Sequence, residues 1–375
     1  MTPHITPRTS HMKSVSPALG NVANILARTP VTTSAPCRID FGGTLDISSF
    51  YCALRRFSPL TVNFALNRRT TVRLLPEAAG KIRISAHGIV EATFEPGKAS
   101  YTHPLGLMAA IVDYFGAWGL HVEIVSASPP RSGLGGSSVA AVALVAALSD
   151  LRQKKGAPGL SRDRIVLLAH TLEQAMAGGN CGRQDHLAAA YGGVNAWQWS
   201  GESDPPFFRR PLVEEGHLSR LNPHLLVADL GVTHVSGDVN RTWVEGFVRG
   251  EHRDRWQAII RLTHDFARAV SEFDITAAAA AMNQETAIRR EMTPHVLESM
   301  GEALAEAAAQ TGCGARFTGA GAGGCLWAMG EIDAISALRA KWTRLLEKRP
   351  GAGIMDCCVD AEGVRWEESE DRILT

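Results

Sequence analysis

No run of apolar residues in this sequence approaches membrane-spanning length, and its start lacks the compact basic-then-apolar form of a signal peptide. The charges cancel: 38 Lys and Arg stand against 38 Asp and Glu, for a formal net charge of zero. That gives no electrostatic reason to expect nucleic acid, whose binding proteins usually carry a basic excess. Seven cysteines include no CxxC pair, and Cys357 and Cys358 are adjacent, a poor spacing for an ordinary bridge. Zinc clusters and a disulfide framework are therefore not expected, and a reduced, cytoplasmic setting is. No internal repeat of solenoid period is present. What remains is ordinary for a folded soluble protein, with 45% hydrophobic and 20% charged residues. Its 375 residues give room for two domains, each with its own core.

The most informative stretch is Pro129 to Leu148, PPRSGLGGSSVAAVALVAAL. Before it, His121–Ala127 alternates as a strand does, so the local order is strand, glycine-rich loop, helix. Such a loop meets the positive end of a helix with many backbone N–H groups, which suits a phosphate. Gly133, Gly135 and Gly136 remove side chains that would hold an anion away. Ser137 and Ser138 are candidate helix caps, and a hydroxyl there also has the reach to meet a metal ion. The competing reading is a buried helix entered through a tight glycine turn. Val139 to Leu148 is apolar around its whole circumference, which predicts burial on all sides.

Residues 1 to 31 are rich in Ser, Thr and Pro without sustained periodicity, and read as a flexible extension. In Thr32–Phe50 a short strand-like piece runs into Gly42-Gly43, with Arg38, Asp40 and Asp46 crowding the turn. Val62–Ala86 reads as three successive strands, and Pro104–Trp118 as a helix. A helix over Arg162–Ala177 carries Glu173 and stops at Gly178-Gly179; a short one begins near Gln184, followed by an aromatic strand. The polar stretch Ser200–Pro206 approaches a domain boundary. The expected division is therefore 1–31, an N-terminal domain over 32–205 and a C-terminal domain over 206–375. The last opens on a strand, His224–Leu230, and then carries four helical patterns over Val239–Gly250, Arg253–Phe273, Ile275–Glu291 and Pro294–Thr311. A third glycine loop follows between two short strands in Ala315–Met329. Strands at both ends with helices between them indicate α+β.

Three glycine-rich loops in this order resemble those of the GHMP kinase superfamily. The first motif is Ala35-Pro36-Cys37-Arg38-Ile39-Asp40-Phe41-Gly42-Gly43, the second Pro129 to Ala140, and the third Thr318-Gly319-Ala320-Gly321-Ala322-Gly323-Gly324. The resemblance spans residues 33 to 360. GLGGSS, the Gly182–His186 segment with AAAYGGVN after it, and VNFAL-NRRTTVRL are most similar to the heptose 7-phosphate kinase branch, whose members phosphorylate an anomeric hydroxyl. The resemblance implies a two-domain fold. Its N-terminal domain would be like the second domain of ribosomal protein S5, with an unusual left-handed crossover, and its C-terminal domain ferredoxin-like. It also implies ATP and Mg²⁺, and a small-molecule sugar or sugar-phosphate substrate.

By the same resemblance Pro130, Ser132, Gly133, Leu134, Gly135, Gly136, Ser137 and Ser138 would wrap the ATP phosphates. Ser138 and Glu173 would hold the metal, and Asp185 would be the base, paired with Arg38. His186 is a rival base that fits the family position less well. Gly43, Thr44, Asp46, Gly179, Arg183 and Gly321 would line the substrate side, with Arg131 and Arg183 available for a substrate phosphate or as solvated surface charges. The first motif departs from the pattern. Sugar kinases usually read G-G-G-T-D or G-E-H-T-D, whereas here Leu45 separates Thr44 from Asp46, one residue nearer Arg38. A mevalonate-type substrate and a non-catalytic sensor of ATP and sugar are the alternatives. Oligomeric state is not legible.

Overall fold

The computed structural model describes residues 18–202, 205–232 and 236–367. Its start corrects one expectation. Residues 1–17 lie outside the described part, but β1 (Gly20–Asn21) and α1 (Ala23–Arg28) are regular structure within what reads as a flexible extension. Three apolar residues in an otherwise polar region explain this: Leu19, Val22 and Leu26 are buried in the main core.

β2 (Val31–Phe41), α2 (Ser48–Tyr51) and β3 (Leu60–Pro76) come next. The segment read as two strands is the single 17-residue β3, antiparallel to β2 throughout, with a register shift opposite Pro36 and Cys37 that absorbs Asn67 and Arg68. Its first half is buried on both faces, between α-helices, and its second half alternates because one face meets solvent.

β4 (Ile82–Ala86) and β5 (Val90–Phe94) form a hairpin, and α3 (Gly106–Tyr114) is shorter than expected. Gly116, at φ +58°, turns the chain out of the helix so that β6 (Ala117–Trp118) pairs in parallel with β1. β7 (Leu120–Ser126) then joins β3 and runs parallel to β4. Three helices follow: α4 (Gly136–Lys154), α5 (Arg162–Met176) and α6 (Gln184–Tyr191). α4 is buried from Ser138 through Ser149, and its alanines and valines let it lie close against β2, β3, α5 and α6. β8 (Val194–Trp199) and β9 (Phe207–Pro211) close this part as a hairpin on β3.

That hairpin bears on the expected boundary. Ser200 opens the connecting turn rather than a linker: its hydroxyl donates to the Pro205 carbonyl and accepts from the Glu202 N–H. β9 thus belongs to the first sheet although it lies beyond residue 205.

In the second half, β10 (Leu225–Asp229) precedes four helices, α7 (Ser236–Val248), α8 (Arg253–Glu272), α9 (Ile275–Met292) and α10 (Ser299–Gln310). α10 begins later than the pattern suggests, because Glu298 is its cap and accepts from the Gly301 N–H. β11 (Gly314–Phe317), β12 (Cys325–Met329), α11 (Ile332–Leu346) and β13 (Gly353–Met355) complete a four-stranded antiparallel sheet in the order β11-β12-β10-β13. A β-α-β-β-α-β succession with that strand order is the ferredoxin-like arrangement. Finally β14 (Arg365–Glu367) returns to pair with β2 in the eight-stranded first sheet. The result is a two-domain α+β fold. α8 lies across both parts: Phe266 stacks on Phe41 of β2 at 4.1 Å, while Trp256 joins the second core.

Among the described residues no helix is long and apolar enough to cross a membrane, and all seven cysteines are free.

Candidate active site

The loop before α4 sits where β2, α6 and the β11–β12 turn converge. Gly135, left-handed at φ +83°, is the helix N-cap, and a side chain there would come within 3.1 Å of the Asp185 carboxylate. Gly133, at φ +74°, lies against Thr318, whose hydroxyl would be 2.7 Å from an added Cβ. Only glycine permits both the backbone angles and these approaches. The third glycine motif braces this second one. Thr318 donates its hydroxyl to the Ser132 carbonyl, which also accepts from the Cys325 N–H at 2.8 Å. The first-turn N–H groups of Gly136, Ser137 and Ser138 have no intrahelical acceptor, and an added Cβ on Gly136 would meet nothing within 4 Å. Pro130 and Arg131 are exposed on the loop and Leu134 is buried.

Neither serine caps the helix. Ser137 is exposed and Ser138 is buried one turn in, where its hydroxyl donates to Glu173 Oε2 at 2.6 Å. Nε2 of His186 stands 2.8 Å from the same oxygen. Burial works to raise the Glu173 pKa, but the His186 ring beside it and the hydroxyls of Ser138 and Ser137 outweigh it and hold the carboxylate below its usual range. His186 is fully buried with Nε2 beside Glu173, and neither of its ring nitrogens has a hydrogen-bond partner among the described residues.

Asp185, in the first turn of α6, faces Arg38 of β2. The guanidinium donates from Nε to Asp185 Oδ1 at 2.8 Å, and its second terminal nitrogen lies 2.7 Å from that oxygen. The other terminal nitrogen donates to the Gly133 carbonyl at 2.6 Å and lies 3.5 Å from Asp40. Arg38 is 3% exposed; Asp185 keeps 22% of its side chain open to the cleft. Burial raises the Asp185 pKa, and Arg38 opposes that rise without cancelling it.

Asp46 is buried with its carboxylate against Gly182, accepting from the Gln184 N–H at 3.0 Å. Its pKa is raised to about 6 by burial and by the charges of Asp185 and Asp40, against that hydrogen bond. The irregular first motif is accommodated by Leu45, which turns into the second core and is fully buried, so Asp46 still faces the start of α6. Arg183 lies just before α6. It donates from Nε to His170 Nδ1 at 3.4 Å, and one of its terminal nitrogens is buried with no hydrogen-bond partner among the described residues. Gly179, at φ +90°, lies in the turn after α5. Gly321 packs on Val296 and Phe317; the third-motif residue that meets the charged cluster is Gly319, donating its N–H to Asp40 at 2.7 Å.

Sequence reasoning missed the support behind this cluster. Arg316, Glu285 and Arg289 are all fully buried. Arg316 reaches Asp40 at 3.1 Å and Glu285 at 2.9 Å, and Glu285 pairs with Arg289 at 2.8 Å. Arg289, between the rings of Trp243 and Trp256 at 4.7 Å each, donates to the Gly43 carbonyl at 2.6 Å and holds Thr44, a left-handed residue at φ +80°, at 3.5 Å. An arginine inside a short apolar strand was the available signal.

Ser138 and Glu173 offer hard oxygens, one of them anionic, at a helix N-terminus. That donor set fits Mg²⁺, which takes one or two protein oxygens and completes its shell with phosphates and water.

Residues 103–193 match the family model described as GHMP kinases N terminal domain. The chain is 25% identical over 326 residues to a mevalonate kinase of Pyrococcus abyssi, covering 80% of this chain and 88% of that protein. It is 27% identical to a mevalonate kinase of Pyrococcus horikoshii, covering 81% and 90%. Among solved structures, galactokinase from Lactococcus lactis with galactose superposes at a TM-score of 0.70, 17% identity and 92% and 97% coverage. A D-glycero-D-manno-heptose 1-phosphate kinase from Bacteroides thetaiotaomicron gives 0.69, 17%, and 90% and 99%. Over residues 103–193 the chain is thus similar to the N-terminal domain of GHMP kinases, and its kinase relatives support a small-molecule phosphotransferase.

Proposed function

We propose that this chain is an ATP- and Mg²⁺-dependent kinase acting on a sugar or sugar phosphate, at the anomeric hydroxyl. The observation that carries the reading is the Arg38 guanidinium, which holds Asp185 and the Gly133 carbonyl of the glycine loop together. Phosphoryl transfer needs alignment, charge neutralisation and a group that takes the acceptor's proton. Asp185 is the group for the proton. Its raised pKa makes it a better acceptor than an ordinary carboxylate, and Arg38 keeps it ionised. Arg38 also offers positive charge beside the loop where the phosphates lie. The residues Pro130 to Ser138 supply N–H groups and the helix end. A magnesium ion held by Ser138 and Glu173 would supply further neutralisation of the phosphates. Asp46 and Arg183 flank the start of α6 on the acceptor side, where Asp46 accepts from substrate hydroxyls and Arg183 has an unpaired donor.

A mevalonate-type acceptor is the second reading, favoured by the mevalonate kinases of Pyrococcus among the relatives. The presence together of Arg38, Ser138, Glu173 and Asp185 argues against a non-catalytic sensor. Coupled ADP release over a panel of sugars, sugar phosphates and mevalonate separates the three. The sugar reading expects turnover with a member of the first two groups; turnover with mevalonate alone reassigns the substrate, and none with any member abandons the kinase reading.

A further inference from the structure

Thr44 is a β-branched residue at φ +80°, a left-handed conformation that such side chains ordinarily avoid, and it is buried in the turn between β2 and α2. Strain of this kind persists only where the surroundings over-determine the backbone. Here a single side chain does so. Arg289 donates from one terminal nitrogen to the Gly43 carbonyl at 2.6 Å, and its other terminal nitrogen reaches Thr44 Oγ1 at 3.5 Å.

We propose that Arg289 is a positioning residue for the acceptor, clamping the Gly43–Thr44 peptide in the turn that presents Asp46. This rests on the reading of Asp46 and the start of α6 as the acceptor side.

The clamp is rigid and comes from the second half of the chain. Arg289 lies on α9, fully buried, with Nε donating to Glu285 at 2.8 Å, and Glu285 is held in turn by Arg316 at 2.9 Å. The guanidinium lies 4.7 Å from the centroids of both Trp243 and Trp256, and Trp243 is itself fixed by its Nε1–H, which donates to Thr293 at 2.6 Å. A planar group flanked by two rings and bonded along its edges has one orientation.

What it holds is two residues from Asp46. The Thr44 carbonyl accepts from the Ile47 N–H at 3.0 Å, closing the turn, and Leu45 is anchored in the second core. Asp46 then accepts from the Gln184 N–H at 3.0 Å. A Thr44 that relaxed to negative φ would break the Ile47 bond and swing the carboxylate away from α6. The glycine loop is braced separately, by Thr318, Cys325 and Arg38. Loss of the clamp should therefore be felt by the acceptor and not by ATP.

The test compares the full chain with Arg289→Lys, which keeps the charge but cannot reach Glu285 and the Gly43 carbonyl together. Amide hydrogen exchange reads Gly42–Ile47 against the glycine loop, and steady-state kinetics reads the KM for ATP against that for the acceptor that turns over in the panel above. Strain at one such residue corresponds to a bias of about 5–150-fold, so exchange over Gly42–Ile47 should quicken by about that factor, with the glycine loop within about twofold. The acceptor KM should rise about tenfold or more and the ATP KM stay within about twofold. Thr44→Gly relieves the strain at its source, so in that background the Lys substitution should cost at least about threefold less in both readouts. Unchanged exchange over Gly42–Ile47, an equal rise in the glycine loop, an unchanged acceptor KM or the same loss in both backgrounds overturns the proposal. Should Arg289→Lys not fold, Arg289→Gln, which leaves Glu285 with Arg316, is read in its place. No turnover with any acceptor fails the kinase reading instead, and the exchange measurement then decides the clamp by itself.

Discussion

Arg38 and Asp185, 147 positions apart in the chain, share two contacts on one oxygen, at 2.8 and 2.7 Å. The same guanidinium reaches the Gly133 carbonyl, so base and glycine loop are referenced to one side chain. A lysine ammonium is a point charge and cannot span both partners with fixed geometry. Arg38→Lys should lower kcat by about 10²-fold, with ATP affinity changed far less. Steady-state kinetics with an independent nucleotide-binding measurement would check this, and an unchanged kcat would remove Arg38 from the proposed mechanism.

Asp46 makes stability depend on pH. Its pKa in the folded chain is about 6, above the ordinary 3.8, chiefly through burial. Folding thus favours the protonated form. The contribution is fully present below the ordinary value and is lost as pH rises through about 6. Urea denaturation of wild type and Asp46→Asn at steps from pH 4 to 8 should show wild type losing stability relative to the variant over that interval. A constant difference would mean that Asp46 does not titrate in this way.

The buried Arg316–Glu285–Arg289 group should be costly to break. Glu285→Gln leaves two buried guanidinium groups sharing one neutral amide, and breaking a buried ion pair typically costs about 3–5 kcal/mol. Equilibrium denaturation should report a loss of that order. A loss under about 1 kcal/mol would show that the arginines find other partners.

The parts of this molecule that were legible in sequence are those whose pattern is local. Gly133 to Gly136 followed by Val139–Leu148 states a loop and a buried helix within twenty residues, and α4 is that helix. The reading of residues 1–31 as a flexible extension failed within its described part, because Leu19, Val22 and Leu26 are too few to show a period, yet each is buried. β3 was divided because Asn67, Arg68 and Arg69 look like a turn, whereas two of them fill a bulge opposite β2. The ion network could not be read at all. Arg316 is 31 positions from Glu285 and 276 from Asp40, and an i,i+4 pair such as Glu285–Arg289 ordinarily marks a solvated helix face. Ser138 and Glu173, 35 positions apart, were paired only through family resemblance.

The most direct test of the account is substrate-dependent ADP release by wild type and Asp185→Asn, measured side by side with sugars and sugar phosphates as acceptors. The account predicts turnover by wild type with at least one of them. It predicts a fall of about 10²–10⁴-fold in kcat for the variant while ATP still binds. Equal turnover by the two proteins, or no acceptor-dependent release by wild type, would contradict it.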